Sequence, residues 1–134
     1  MNNENISIQD RSKLFAIRAI KAYTELNKRH FDDAGKVLAK QFLRASTSIG
    51  ANLAQRACPH VGEFAQSIAD FISKYSIALK EASETRYEAS ETRYWIDIMI
   101  QSGIISEKKF SSMIDEINRI IRILISTIKK LKDK

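Results

Sequence analysis

Four times along this chain, apolar residues recur in steps of three and four, the spacing that lines one face of an α-helix. The first run is Leu14, Ile17 and Ile20 (with Phe15 and Ala16 beside them), then Tyr23 and Leu26. Asp10 or Ser12 is placed to cap its start, and it should end near His30. The second opens at Asp32-Asp33, where acid suits a helix N-terminus, and carries Leu38, Phe42, Ala45, Ile49 and Leu53. Gly50 lies inside that pattern at a cost of about 1 kcal/mol against Ala, so close backbone packing or a kink is the expected reason for it. Cys58, Pro59 and Gly62 end the run, although Pro59 would equally suit the first turn of the next helix. The third runs from about Glu63 to Ser102 through Phe64, Ile68, Phe71, Tyr75, Ala78, Ala82, Thr85, Ala89, Thr92, Ile96 and Met99. At 1.5 Å per residue it would be roughly 60 Å long, with Gly103 as its stop. The fourth starts at Ser106, with Glu107 in its first turn, and carries Phe110, Ile114, Ile117, Ile121, Leu124, Ile128 and Leu131. Four amphipathic helices with short connections predict an all-α, antiparallel up-down four-helix bundle over residues 10–134, after a flexible N-terminal segment, 1–9. The third helix outruns its partners, so part of it should project or be covered by another subunit.

Composition closes off the alternatives. A chain of 134 residues is one domain, and four Gly and one Pro are too few for the turns of a β-sandwich or barrel. A hydrophobic content of 44% supports a packed core and excludes a disordered tail. One Cys excludes a disulfide framework within the chain. No apolar run approaches the roughly 18 residues of a membrane span, and MNNENISIQD lacks the layout of a signal peptide. The expectation is a soluble cytoplasmic domain, free of the membrane, with a mildly basic surface from a net charge of +6.

Residues 81–87 read EASETRY, and residues 88–94 repeat them. Seven helical residues advance about 10.5 Å and fall only about 20° short of two turns. The duplication therefore keeps each side chain on its face and shifts the downstream residues by two turns. A tandem duplication without a function of its own is the plainer account. The sharper one is a lengthening that repositions an interface, or that adds Arg93 to Arg86 on a binding surface.

Two stretches carry a family resemblance: QFLRASTSIGANL (Gln41 to Leu53), and DFISKYSIALKEA (Asp70 to Ala82) continued by ETRYW (Glu91 to Trp95). With Arg11-Ser12 and Phe15-Ala16-Ile17-Arg18, they resemble the bacterial four-helix-bundle proteins encoded in intervening sequences of 23S ribosomal RNA genes, often labelled ribosomal proteins. That family is similar to the accessory proteins of diversity-generating retroelements. The resemblance covers nearly the whole chain. It implies four antiparallel helices, a ring-shaped homopentamer with a basic surface, and a role in binding RNA or nucleoprotein. Three features depart from the family pattern: the duplication, Ala54-Gln55 where acids usually follow the motif, and a longer stretch from Arg56 to Phe64.

Several residues are candidates for function. Lys36, Lys40 and Arg44 recur every four residues and can meet successive phosphates; an ordinary solvated face is the alternative. Lys129, Lys130 and Lys132 join them at the C-terminus, where cations also suit the helix dipole. Arg86 and Arg93 sit among Glu81, Glu84, Glu88 and Glu91, so intrahelical pairs of about 0.2–0.5 kcal/mol are the expected use. Tyr87, Tyr94 and Trp95 can stack on bases, but core or interface anchoring fits such residues better. Within the motif, the hydroxyls of Ser46, Thr47 and Ser48 suggest tertiary contacts. Ile49, Gly50, Ala51 and Asn52 complete a packing or subunit-interface surface that also takes Arg44, Tyr94 and Trp95. His30, Cys58 and His60 lack the paired spacing of a zinc site, no Glu-x-x-His or phosphate-cradling Gly motif occurs, and Ser46 and Ser48 have no His at helical spacing. No metal, no cofactor and no enzymatic activity are expected. The C-terminal INRIIRILISTIKKLK reads as a core helix rather than a membrane-surface one. The sequence thus points to a non-enzymatic oligomer that binds RNA or ribonucleoprotein through basic surfaces; the alternative is a protein-interaction scaffold whose charge is incidental.

Overall fold

A computed structural model describes residues 6–29, 32–57 and 68–133, with side chains described outside 53–57 and 68–76. The described residues form four helices, α1 (Ile8–Asn27), α2 (Asp33–Ala57), α3 (Ile68–Gln101) and α4 (Glu107–Lys132), and no strand. Each helix packs on its chain neighbours, and α4 closes the set against α1; α1 and α3, like α2 and α4, lie across the diagonals. The expected up-down bundle is thus the observed one for a single chain.

Local chemistry sets the ends. Ser7 caps α1 by accepting from the Asp10 amide at 3.1 Å, so the helix begins at Ile8, ahead of the start expected at Asp10 or Ser12. Ser12 is instead fully buried. The Asp32 carboxylate accepts from the Gly35 amide at 2.8 Å at the start of α2, and the Ser106 hydroxyl accepts from Lys109 at 3.1 Å at the start of α4. Gly103, at φ +77°, ends α3. Its amide reaches the Ile100 carbonyl (3.0 Å) and the Ile104 amide reaches Met99 (2.9 Å), the paired closure that a left-handed residue permits.

The core is built from Phe15, Leu26, Phe42, Ile96, Met99, Phe110, Met113, Ile117, Ile120 and Leu124. Burying each large side chain is worth about 1.5–3 kcal/mol. Phe42 and Phe110 meet edge to face, ring centres 6.2 Å apart. In α3 the stripe Ala82, Thr85, Ala89, Thr92, Ile96 and Met99 is fully buried, as the periodicity predicts. The expected Leu53, Phe64, Ile68, Phe71 and Tyr75 positions lie outside the described side chains.

In α1 the predicted face is wrong at Leu14, Ile17 and Ile20 and right at the end of the helix, where Leu26 is buried and Tyr23 packs against the core. Leu14, Ile17 and Ile20 are 50%, 40% and 49% exposed, whereas Ser12, Phe15, Ala19 and Leu26 are buried. Both strips have helical spacing. The buried one wins because its small members let α1 approach α2 closely: a Cβ on Gly50 would stand 3.6 Å from the Ser12 carbonyl oxygen. That is the close packing expected at Gly50, although the distance is ordinary van der Waals contact and leaves room for a methyl group. Two polar contacts cross between α1 and α4, and a third joins the segments beyond their ends. Arg11, buried, meets Glu116 at 2.8 Å, Arg18 donates to Ser112 at 2.8 Å, and Arg29 donates to the Ile104 carbonyl at 3.0 Å.

Candidate nucleic-acid interface

The expected phosphate row on α2 divides in the structure. Lys36 and Lys40 are exposed. Arg44, on the same row, is committed within the chain: its guanidinium donates to Glu91 at 2.6 Å and to Glu88 at 3.5 Å, and its Nε donates to Gln41 at 3.1 Å. It ties α2 to α3 rather than standing open to a phosphate.

The three charges are coupled. The hydrogen bond from Arg44 holds Glu91 below the usual carboxylate range, with its partial burial working against that. The Trp95 indole N–H, buried and short of a well-aligned partner, lies close enough to favour ionised Glu91 as well. Arg44 is raised in turn, chiefly by its bond to Glu91. Glu88 moves the other way: burial and the neighbouring Glu91 outweigh the more distant contact with Arg44 and push it up.

The remaining motif residues are used locally. The Thr47 hydroxyl donates to the Leu43 carbonyl (2.9 Å) and the Ser48 hydroxyl to the Arg44 carbonyl (2.7 Å). These two turn back onto their own helix instead of making the expected tertiary contacts. Ser46 does enter the core, and its buried hydroxyl has no hydrogen-bond partner among the described residues. Ile49 is buried, Gly50 and Asn52 are half-buried, and Ala51 is exposed. Trp95 packs against the core, while Tyr94 stays 54% exposed beside it at 5.1 Å.

Lys129, Lys130 and Lys132 are exposed at the end of α4. Because α2 and α4 run parallel, these lysines stand roughly 30 Å along the bundle from Lys36, so one chain does not bring the two groups together. Arg119 and Arg122, also exposed, join the C-terminal lysines instead. From Arg119 to Lys132 there are five cations and no acid. The sequence reading followed the stripe Ile117, Ile121, Leu124 and Ile128, all buried, and passed over these arginines, which lie on the opposite face of the same helix.

Toward the turn that joins them, α3 and α4 line a groove of about 720 Å³. Its floor is Ile96, Ile100 and Ile114, and its rim carries Ser90, Arg93, Tyr94, Asp97, Gln101 and Glu107. Arg93 donates to Asn118 on α4 at 3.1 Å, and Gln101 donates to both Asp97 oxygens at 3.0 Å. Among the described residues no group of three or more His, Cys, Asp or Glu could hold a metal, and no helix is long and apolar enough to cross a membrane. His30, Cys58 and His60, like the stretch from Arg56 to Phe64, lie wholly or largely outside the described residues.

Comparison with known proteins agrees with the motif. The family model of the 23S rRNA-intervening sequence protein matches residues 4–126. Among solved structures, a protein of unknown function from the S23 ribosomal protein family of Bacteroides thetaiotaomicron is 37% identical, with a TM-score of 0.63. The alignment covers 92% of this chain and 99% of that one. No curated protein matches significantly.

Proposed function

The chain belongs to the 23S rRNA-intervening sequence protein family, and from that premise we propose that it is a non-enzymatic protein that binds RNA or ribonucleoprotein through the outer face of α4. The observation that carries this reading is the run Arg119, Arg122, Lys129, Lys130 and Lys132, all exposed, with no carboxylate among them. Such a row neutralises successive backbone phosphates and releases their counterions. Lys36 and Lys40 form a second, weaker patch at the other end of the bundle. The reading includes a homopentamer, as the resemblance implies, in which each weak patch is multiplied by the copy number. An assembly of copies is supported by the exposed apolar strip Leu14, Ile17 and Ile20 on α1, since large exposed apolar residues in a row mark interaction surfaces. The same strip favours a second reading, a protein-interaction scaffold.

Nuclease-treated protein titrated with a structured ribosomal RNA fragment over a salt series tests the proposal. Five phosphate contacts predict a slope of log K against log salt between about −3.5 and −4.5. Arg119→Glu with Arg122→Glu should weaken binding and flatten that slope. Absence of binding even at low salt would exclude the RNA reading and leave the scaffold.

A further inference from the structure

We infer that the groove between α3 and α4 is a base-binding site for single-stranded RNA, with Tyr94 as its stacking face and Tyr87 as a second one. The inference rests on the RNA reading above and adds to it which state of RNA is bound and where the bases go.

Tyr87 and Tyr94 are 78% and 54% exposed, so neither is the core anchor that aromatic residues of a bundle usually are. They occupy the same place in the two EASETRY copies, seven residues apart on one helix face. Their roughly 10.5 Å separation along the axis is about three times the 3.4 Å rise of a stacked strand. Each follows an arginine, Arg86 or Arg93. Aromatic rings beside cations are how proteins hold unpaired nucleotides, because every base offers a flat face.

The groove beside Tyr94 supplies a pocket for one base. Its floor is isoleucine, and its rim offers the Asp97 and Glu107 carboxylates, the Gln101 amide and the Ser90 hydroxyl. Two carboxylates repel a phosphate and accept hydrogen bonds from a base edge, so the base enters and the backbone stays outside. The cations for that backbone are in place. Asn118, which bonds Arg93, begins a row on α4 at steps of four and three: Asn118, Arg122, Ile125, Lys129 and Lys132. The last four are exposed. Because α3 and α4 run antiparallel, this row leads from the level of Arg93 and Tyr94 toward the N-terminal half of α3, so its cations border the stretch that carries Tyr87 and the strand's backbone runs away from the groove along them. A duplex keeps its bases paired and its faces stacked, so only an unpaired strand can use the tyrosines.

The test compares a fluorescently labelled single-stranded RNA octamer with its duplex, against wild type, Tyr87→Leu with Tyr94→Leu, and Arg119→Glu with Arg122→Glu. The expected result is that the tyrosine variant loses about tenfold in single-strand affinity per ring while duplex affinity is unchanged. The charge variant should lose affinity for both. Tyr87 is exposed and Tyr94 loses only its edge contact with Trp95, so helicity should match wild type and the thermal midpoint should fall slightly. If the tyrosine variant binds the single strand as wild type does while the charge variant fails, the base site is overturned and the phosphate reading stands. If the tyrosine variant instead changes its sedimentation and not its RNA affinity, the rings belong to a contact between copies, and the inference again falls. If neither variant alters RNA binding, the phosphate reading falls with it.

Discussion

The two EASETRY copies are identical in sequence and stand in different surroundings. Their inward residues behave alike. Ala82 and Ala89 are fully buried, as are Thr85 and Thr92, whose hydroxyls donate to the Glu81 and Glu88 carbonyls at 2.7 and 2.8 Å. Their outward residues do not. Glu88 and Glu91 hold Arg44, and Arg93 reaches Asn118. Of the equivalents in the first copy, Glu84 and Arg86 are exposed and Glu81 is half-buried, as Glu88 is. Tyr87 is also more exposed than Tyr94. Helical phase alone therefore dictates what a heptad buries, while its polar contacts depend on what the neighbouring helices present at that height.

The phase half of that comparison can be broken by deletion. Removing residues 81–87 leaves one copy and keeps every downstream face within about 20°. Removing only 82–87 rotates the two halves of α3 by about 120° relative to each other and drives polar side chains into the core. The seven-residue deletion should give a protein that unfolds cooperatively. The six-residue deletion should lose cooperative thermal unfolding altogether, the largest effect expected here. Equal damage from both, followed by circular dichroism, would mean that position along the axis, and not phase, holds α3.

Polar surroundings are tested next. Arg44→Met should cost about 1 kcal/mol, because it leaves two neighbouring, partly buried carboxylates without their cation; solvent access to the pair keeps the figure low. Chemical denaturation measures it. Glu91→Gln and Glu88→Gln should then act in opposite directions at neutral pH. Glu91 is held low in the fold, so its stabilisation is present above its unfolded value and is lost as pH falls through the lower folded one. Glu88 is held high, so its ionised form weakens the fold at neutral pH, and that cost disappears as pH falls through its raised value. Glu91→Gln should lower stability by a few tenths to about 1 kcal/mol, and Glu88→Gln should raise it slightly. Glu81→Gln and Glu84→Gln, in the first copy, should change nothing measurable. A stability–pH curve for each variant decides the matter.

These differences mark where sequence alone was enough. Four helices were legible because a 3.6-residue period runs through each, and Gly103 and Ser106 carry the stop and start in their own chemistry. The buried face of α1 was legible only at its end, at Tyr23 and Leu26. Two strips, one through Leu14 and Ile17 and one through Phe15 and Ala19, satisfy the same spacing, and the choice depends on the backbone of α2 at Gly50. Arg44 looked like a free cation because its acidic partners, Glu88 and Glu91, are more than forty residues away. The Arg119–Arg122 face was in the sequence as the complement of the isoleucine stripe. The groove at Tyr94 was not, since it exists only once α3 and α4 are set side by side.

The smallest expected effect sharpens the comparison most. Arginine and alanine have nearly equal helix propensity, so an Arg→Ala change at an exposed site reports tertiary contacts with little intrinsic background. Arg86→Ala should leave stability unchanged. Arg93→Ala removes the 3.1 Å bond to Asn118 and should cost about 0.5 kcal/mol, the low end for a solvent-accessible hydrogen bond. The two arginines differ also in the residue four positions on, Ser90 for one and Asp97 for the other, which adds a small intrahelical term. A double-mutant cycle with Asn118→Ala separates the two contributions. A coupling energy near zero would assign the whole difference to Asp97, within the helix. A coupling of about 0.5 kcal/mol would show that two identical heptads are distinguished by the helix that each one faces.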